Sequence, residues 1–186
     1  MRRGAAALLL SVLCALGCGE RKRAIAPWSP DSLALAAIND VLQERWLKGI
    51  MTEDIDLYMS SYWADGFVYV SDRGTPHPDD DIIFDDIAQE REAMIRLFNR
   101  YRLEIDIEFP SSALSLNDEY TRYEARSRYE FFGEAQFGTL EGISPNVKGS
   151  GENQFVFEER LNPETSQLEW RIVEYYDFSD SSEDVE

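Results

Sequence analysis

The side chain best placed to do chemistry in this sequence is a glutamate on an alternating run. From Trp170 to Phe178 the period is two, so Trp170, Ile172, Glu174, Tyr176 and Phe178 share one face of a strand. Parity puts Glu174 on the apolar, inward face. An unpaired charge is costly there, and burial raises a carboxyl pKa. A carboxylate tuned in that way is a general base able to take a proton from carbon. Trp63, Tyr129, Trp170 and Tyr176 are the aromatic and hydroxyl groups available to line the same ligand site. The alternative is a Glu174 at the rim, solvated or paired with an arginine.

Other reactive residue types have simpler explanations. Asp79, Asp80, Asp81, Asp85 and Asp86 are the kind of carboxylate cluster that suits calcium. They lack the Asp-x-Asp-x-Asp-Gly spacing and distal glutamate of an EF-hand loop, and Asp85 and Asp86 serve as cap and dipole partner of a helix. His77, the single histidine, lies in a loop between Pro76 and Pro78 and reads as exposed. Neither a metal site nor a cofactor is expected: there is no Walker loop, dinucleotide fingerprint, Gly-x-Ser-x-Gly elbow or zinc motif. With 36 acidic against 18 basic residues the net charge is −18, which lacks the basic footprint that nucleic-acid binding requires.

The first residues read as an address. Arg2 and Arg3 precede an apolar run from Ala5 to Gly17, too short to cross a bilayer and suited to a secretory signal peptide over residues 1–17. The run ends in Ala15-Leu16-Gly17-Cys18, which resembles the lipobox of bacterial lipoproteins with Ala15 and Leu16 in reversed order. That resemblance implies cleavage before Cys18, a lipid on its thiol, and anchoring in the bacterial cell envelope at the outer membrane. The folded part would then hold no thiol, since Cys14 is discarded, and losing Arg2 and Arg3 takes the charge from −18 to −20. Residues 18–29 form a tether kept extended by Pro27, residues 30–179 one domain, and residues 180–186 an acidic tail expected to be disordered.

Within the domain the helical periods come first and the strands afterwards. Ser29-Pro30-Asp31 starts a helix whose buried stripe is Leu35, Ile38, Leu42 and Trp46, with Gly49 as its stop. Thr52 opens a second helix with Ile55, Tyr58, Met59 and Tyr62. Phe67–Val70 is a short strand, and Ile87, Met94, Leu97, Phe98 and Tyr101 mark a third helix. Leu103, Ile105 and Ile107 alternate in one strand, and Tyr123 to Phe131 in the next. Phe155 and Phe157 belong to another, and Trp170 to Phe178 to the last. Segregated helices and strands give an α+β fold, with N-terminal helices packed in a strongly curved antiparallel sheet of four to six strands. Arg122, Arg126, Arg128, Arg160 and Arg171 fall on the outer sheet face beside Glu124, Glu130, Glu158 and Glu169, a surface for cross-strand pairs or a homodimer.

This order of elements resembles the NTF2-like superfamily over residues 31–178. The signatures are a long first helix with a tryptophan, a Phe-Val-Tyr-Val strand ending in a turn, and long strands closing on Trp170-Arg171-Ile172-Val173. The superfamily includes SnoaL-like cyclases and ketosteroid isomerase, and the resemblance implies a cone with a pocket at its wide mouth. The expected role is membrane-anchored, non-catalytic binding of a small apolar ligand or a protein partner. The alternative is a SnoaL-like isomerase, cyclase or dehydratase with Glu174 as its base.

Overall fold

A computed structural model describes residues 29–72, 81–136, 146–180 and 183–185. The signal segment, Cys18 and the tether up to residue 28, together with His77, Asp79 and Asp80, lie outside the described residues.

A capping box opens the first helix, α1 (Pro30–Val41): the Ser29 side chain accepts from the Ser32 backbone N–H, and the Ser32 hydroxyl answers the Ser29 N–H. The helix runs past the expected stop. A π-helical stretch, Leu42–Leu47, carries it into α2 (Lys48–Met51). Gly49 is instead a point of close approach, because a Cβ there would lie 2.5 Å from the backbone nitrogen of Tyr58 in α3 (Ile55–Met59). The wider π turn falls at buried Trp46, whose ring meets Tyr58, Phe155 and Tyr175 at the centre of the molecule. A fourth helix, α4 (Ile87–Phe98), starts on Asp86, whose side chain accepts from the Ala88 N–H; the acid read as a cap is one.

The continuous path of the sheet runs β2 (Ile82–Phe84), β1 (Val68–Asp72), β7 (Leu168–Ser179), β6 (Asn146–Leu161), β5 (Arg122–Ala135) and β3 (Tyr101–Ile107). Two short strands join its flank, β4 (Leu114–Ser115) on β5 and β8 (Glu183–Val185) on β6. All pairings are antiparallel except β1 on β7, which the long intervening chain allows. β8 comes from the tail expected to be disordered. It pairs with Asn146–Lys148, where β6 extends beyond the last β7 pairing at Gly151 and Ser179 and offers a free edge.

Inward faces follow parity on β5 and β6, with Tyr123, Ala125, Phe155 and Phe157 in the core against α1 and α3. On β7 the parity breaks. Phe157 pairs with Ile172 but its neighbour Val156 pairs with Glu174, so Val173 is an extra residue, a β-bulge. Ile172 points inward, Val173 joins Trp63 and Val156 in a small outer cluster, and everything beyond is shifted by one. Tyr175, rather than Glu174 or Tyr176, therefore enters the core.

Candidate active site

Between the inner face of the sheet and the π-helical stretch, α2, α3 and α4 lies a cavity of about 330 Å³, walled mostly by apolar side chains such as Ile50, Phe84, Met94, Leu97 and Leu103. Two carboxylates face it. Glu90 is only 3 % exposed and projects from α4 on the same stripe as Ile87, Met94 and Leu97. Asp177 projects from β7, turned inward by the bulge at Val173.

Each carboxylate has a tyrosine. The Tyr58 hydroxyl donates to Glu90 Oε1 at 2.6 Å, and Tyr62, 2.8 Å behind it, accepts at 2.9 Å from Trp46 Nε1. Because the single Tyr58 proton goes to Glu90, Tyr62 is the donor to Tyr58, and the chain runs one way: Trp46 to Tyr62 to Tyr58 to Glu90. On the other side the Tyr129 hydroxyl donates to Asp177 Oδ1 at 2.6 Å, and Ser71 supplies a second hydrogen bond. Gly151 leaves room for Tyr129: a Cβ there would be 2.9 Å from the phenol oxygen.

Burial controls the protonation of all these groups. It raises the Glu90 carboxyl to about 7; the Tyr58 hydrogen bond works against the rise and the charge of Asp177 adds to it. Asp177 is also raised by burial, with the Tyr129 and Ser71 hydrogen bonds holding it down and Asp72 pushing it up. Burial keeps the Tyr58, Tyr62 and Tyr175 phenols protonated well beyond their ordinary range, so they act as fixed donors. The result is a carboxyl that titrates near neutrality in an apolar chamber, able both to take and to return a proton. No group of carboxylates, histidines or cysteines among the described residues is arranged to hold a metal ion.

Solved structures share this architecture. A ketosteroid isomerase-like protein from Erwinia carotovora atroseptica matches with a TM-score of 0.56 and 14% identity, over 79% of this chain and 96% of its own. An NTF2-like superfamily protein from Salmonella enterica serovar Typhimurium matches at TM-score 0.58 and 14% identity, covering 78% of this chain and 90% of its own. A hexachlorocyclohexane dehydrochlorinase matches at TM-score 0.56 and 11% identity, over 83% and 90%. The fold is the NTF2-like cone. No family model matches the chain, and no curated protein does.

Of the expected ligand residues, only Tyr129 lines the cavity of this NTF2-like cone. Trp170 is on the inner side but packs on Tyr123, at 5.6 Å between ring centroids, away from the chamber. Glu174, Tyr176 and Trp63 are on the outer face, a correction that follows from the bulge for the first two. Glu174 is paired with Arg122 and accepts from the Tyr176 hydroxyl at 3.0 Å. The Trp63 ring stacks under the Arg171 guanidinium, 4.4 Å from its centroid, while its N–H donates to the Glu158 carbonyl. Four outer arginines sit where parity puts them: Arg122 and Arg160 pair with Glu158, Arg126 with Glu124 and Glu152, and Arg171 with Glu169, whose carboxyl it holds down at about 2.

Sequence reasoning missed Glu90, Asp177 and Tyr58 as site residues. Glu90 did carry a signal: it lies three residues after Ile87 and four before Met94, on the buried stripe of an amphipathic helix. Asp177 carried none, since simple alternation turns it outward.

Proposed function

We propose that the cone binds a small, largely apolar molecule and moves a proton on it, with Glu90 as the acid–base group. The observation that carries this reading is a glutamate 3 % exposed in an apolar cavity, raised to about 7 and held at 2.6 Å by Tyr58. The sequence alone favoured non-catalytic binding of a small apolar ligand or a protein partner, with an isomerase, cyclase or dehydratase using Glu174 as the alternative; burial moves the base of that alternative to Glu90. Its ionised form takes a proton from carbon, and the freed C–H electron pair passes into the conjugated acceptor group of the substrate. Returning that proton at another carbon isomerises the molecule, while loss of a leaving group from the neighbouring carbon eliminates it. Burial keeps Glu90 high, and the charge of Asp177, tied to Tyr129, adds to it. The fold's solved relatives include an isomerase-like protein and a dehydrochlorinase, which fits this class without naming a substrate.

The test is deuterium wash-in. Incubated in heavy water with small C–H acids, a nitroalkane and a bicyclic ketone, the protein should speed exchange at the acidic carbon, and Glu90→Gln should abolish the acceleration. Saturable binding with no exchange would leave a carrier and refute the catalytic reading.

The domain works at a membrane in this proposal. The basic start, apolar run and Gly17-Cys18 junction support export and lipidation at Cys18, with anchoring in the bacterial envelope at the outer membrane. Palmitate labelling that vanishes in Cys18→Ser is the expected result; labelling that persists would contradict it. The cross-paired outer sheet face supports a homodimer, which sedimentation of the purified chain reads directly.

A further inference from the structure

Beyond the two carboxylates, the cavity wall carries a polar feature that proton transfer does not use. Asn153, at the middle of β6, is fully buried and lines the chamber. Its Oδ1 accepts from the Tyr175 hydroxyl at 3.0 Å, which turns the Nδ2 hydrogens the other way. Tyr175 is itself fixed by stacking on Phe155, with centroids 4.8 Å apart and planes at 17°. Nδ2 has no hydrogen-bond partner among the described residues. Directly across the ladder, in register with Asn153, is Ser127 on β5, 4 % exposed; its hydroxyl likewise has no partner there.

Two orphaned polar groups on facing strands are unusual. A buried unpaired donor is costly, and native interiors carry few of them. Here one is an amide whose orientation is set by a dedicated tyrosine. On the same strand and the next, Tyr129 and Tyr175 are both satisfied. The unsatisfied atoms are thus confined to one spot on the sheet, and both can donate.

We infer that Asn153 Nδ2 receives an acceptor oxygen of the bound molecule, so that the ligand is an oxygen-bearing apolar compound rather than a hydrocarbon or halocarbon. This rests on the reading of the cavity as a ligand site. Asn153 is then the residue that selects and orients the ligand, while Glu90 transfers the proton. A bicyclic ketone and the matching hydrocarbon, which fill the same space and differ only in the oxygen, separate recognition from apolar burial.

Binding of tetralone and tetralin to the purified full-length chain, followed by ligand-observed NMR, tests the inference. The wild type should prefer tetralone by about tenfold, the worth of one well-made hydrogen bond to a buried donor. Asn153→Leu should erase that preference by weakening tetralone alone, and Tyr175→Phe, which releases the amide to turn, should cut it about threefold. Should the leucine variant fail to fold, as circular dichroism reports, Tyr175→Phe carries the test. Equal affinities in the wild type, or a preference that survives both substitutions, would overturn the inference and leave the cavity reading intact. A ketone complex in which a retained water, rather than the ketone oxygen, sits on Asn153 Nδ2 would overturn it as well. No binding of either probe at millimolar concentration would sink the cavity reading and this inference with it. Absence of deuterium exchange with the tetralone preference intact would remove only the catalytic role of Glu90.

Discussion

Replacing Glu90 by glutamine should make the protein more stable at alkaline pH while removing its proton-transfer group. Folding moves the Glu90 carboxyl from an ordinary value near 4.5 to about 7. Between those values the folded state binds more protons than the unfolded state, so stability falls as pH rises through this window and levels off above it. At 1.36 kcal/mol per pH unit the loss is about 3 kcal/mol, undiluted by solvent because the group is 3 % exposed. Glutamine has the shape of the protonated acid, keeps a carbonyl oxygen for the Tyr58 hydroxyl, and carries none of this slope. Urea unfolding of both proteins at several values between about pH 4.5 and 8.5 gives the difference directly. Near the acid end the two should match to within about 1 kcal/mol. By pH 8 the variant should lead by about 3 kcal/mol. Asp177, also raised, gives both proteins a slope of the same sign, so the difference isolates Glu90. Parallel stability curves would refute the burial argument.

Tyr58→Phe removes the hydrogen bond that holds Glu90 down, so the Glu90 midpoint should climb by about one pH unit, read from the pH profile of deuterium exchange. Gly49→Ala drives a methyl to within 2.6 Å of the Tyr58 backbone; it should cost about 1–3 kcal/mol in urea unfolding. Glu174→Gln, on the outer face, breaks a partly exposed ion pair with Arg122; it should cost at most about 1 kcal/mol and leave ligand binding unchanged, measured in parallel with Glu90→Gln.

The helices and long strands were legible because their periods are strong. Ile38, Leu42 and Trp46 recur at helical spacing, and Tyr123 to Phe131 alternates cleanly. Ser29 and Asp86 announced two caps. What the sequence hid was non-local. One extra residue at Val173 inverts the second half of β7 and exchanges Glu174 for Tyr175 and Asp177, and no residue type there marks the bulge. The parallel seam of β1 with β7 joins segments about a hundred residues apart. β8 exists because β6 outruns β7 and leaves an edge to pair. Glu90 was within reach of pattern reading, because a carboxylate in the middle of an apolar helical stripe must be either paired or raised. The aromatic residues Trp63, Trp170 and Tyr176 were reasonable candidates by type, and only the three-dimensional register separates them from Tyr129.

The acid–base role stands on Glu90 being a buried acid that titrates near neutrality. Carbon-detected NMR of the side-chain carboxyls across pH reads it without a substrate, with Glu90→Gln assigning the resonance. A Glu90 midpoint close to 7 is the expected result. A midpoint in the ordinary carboxylate range, near 4.5, would contradict it and with it the acid–base role proposed for the cone.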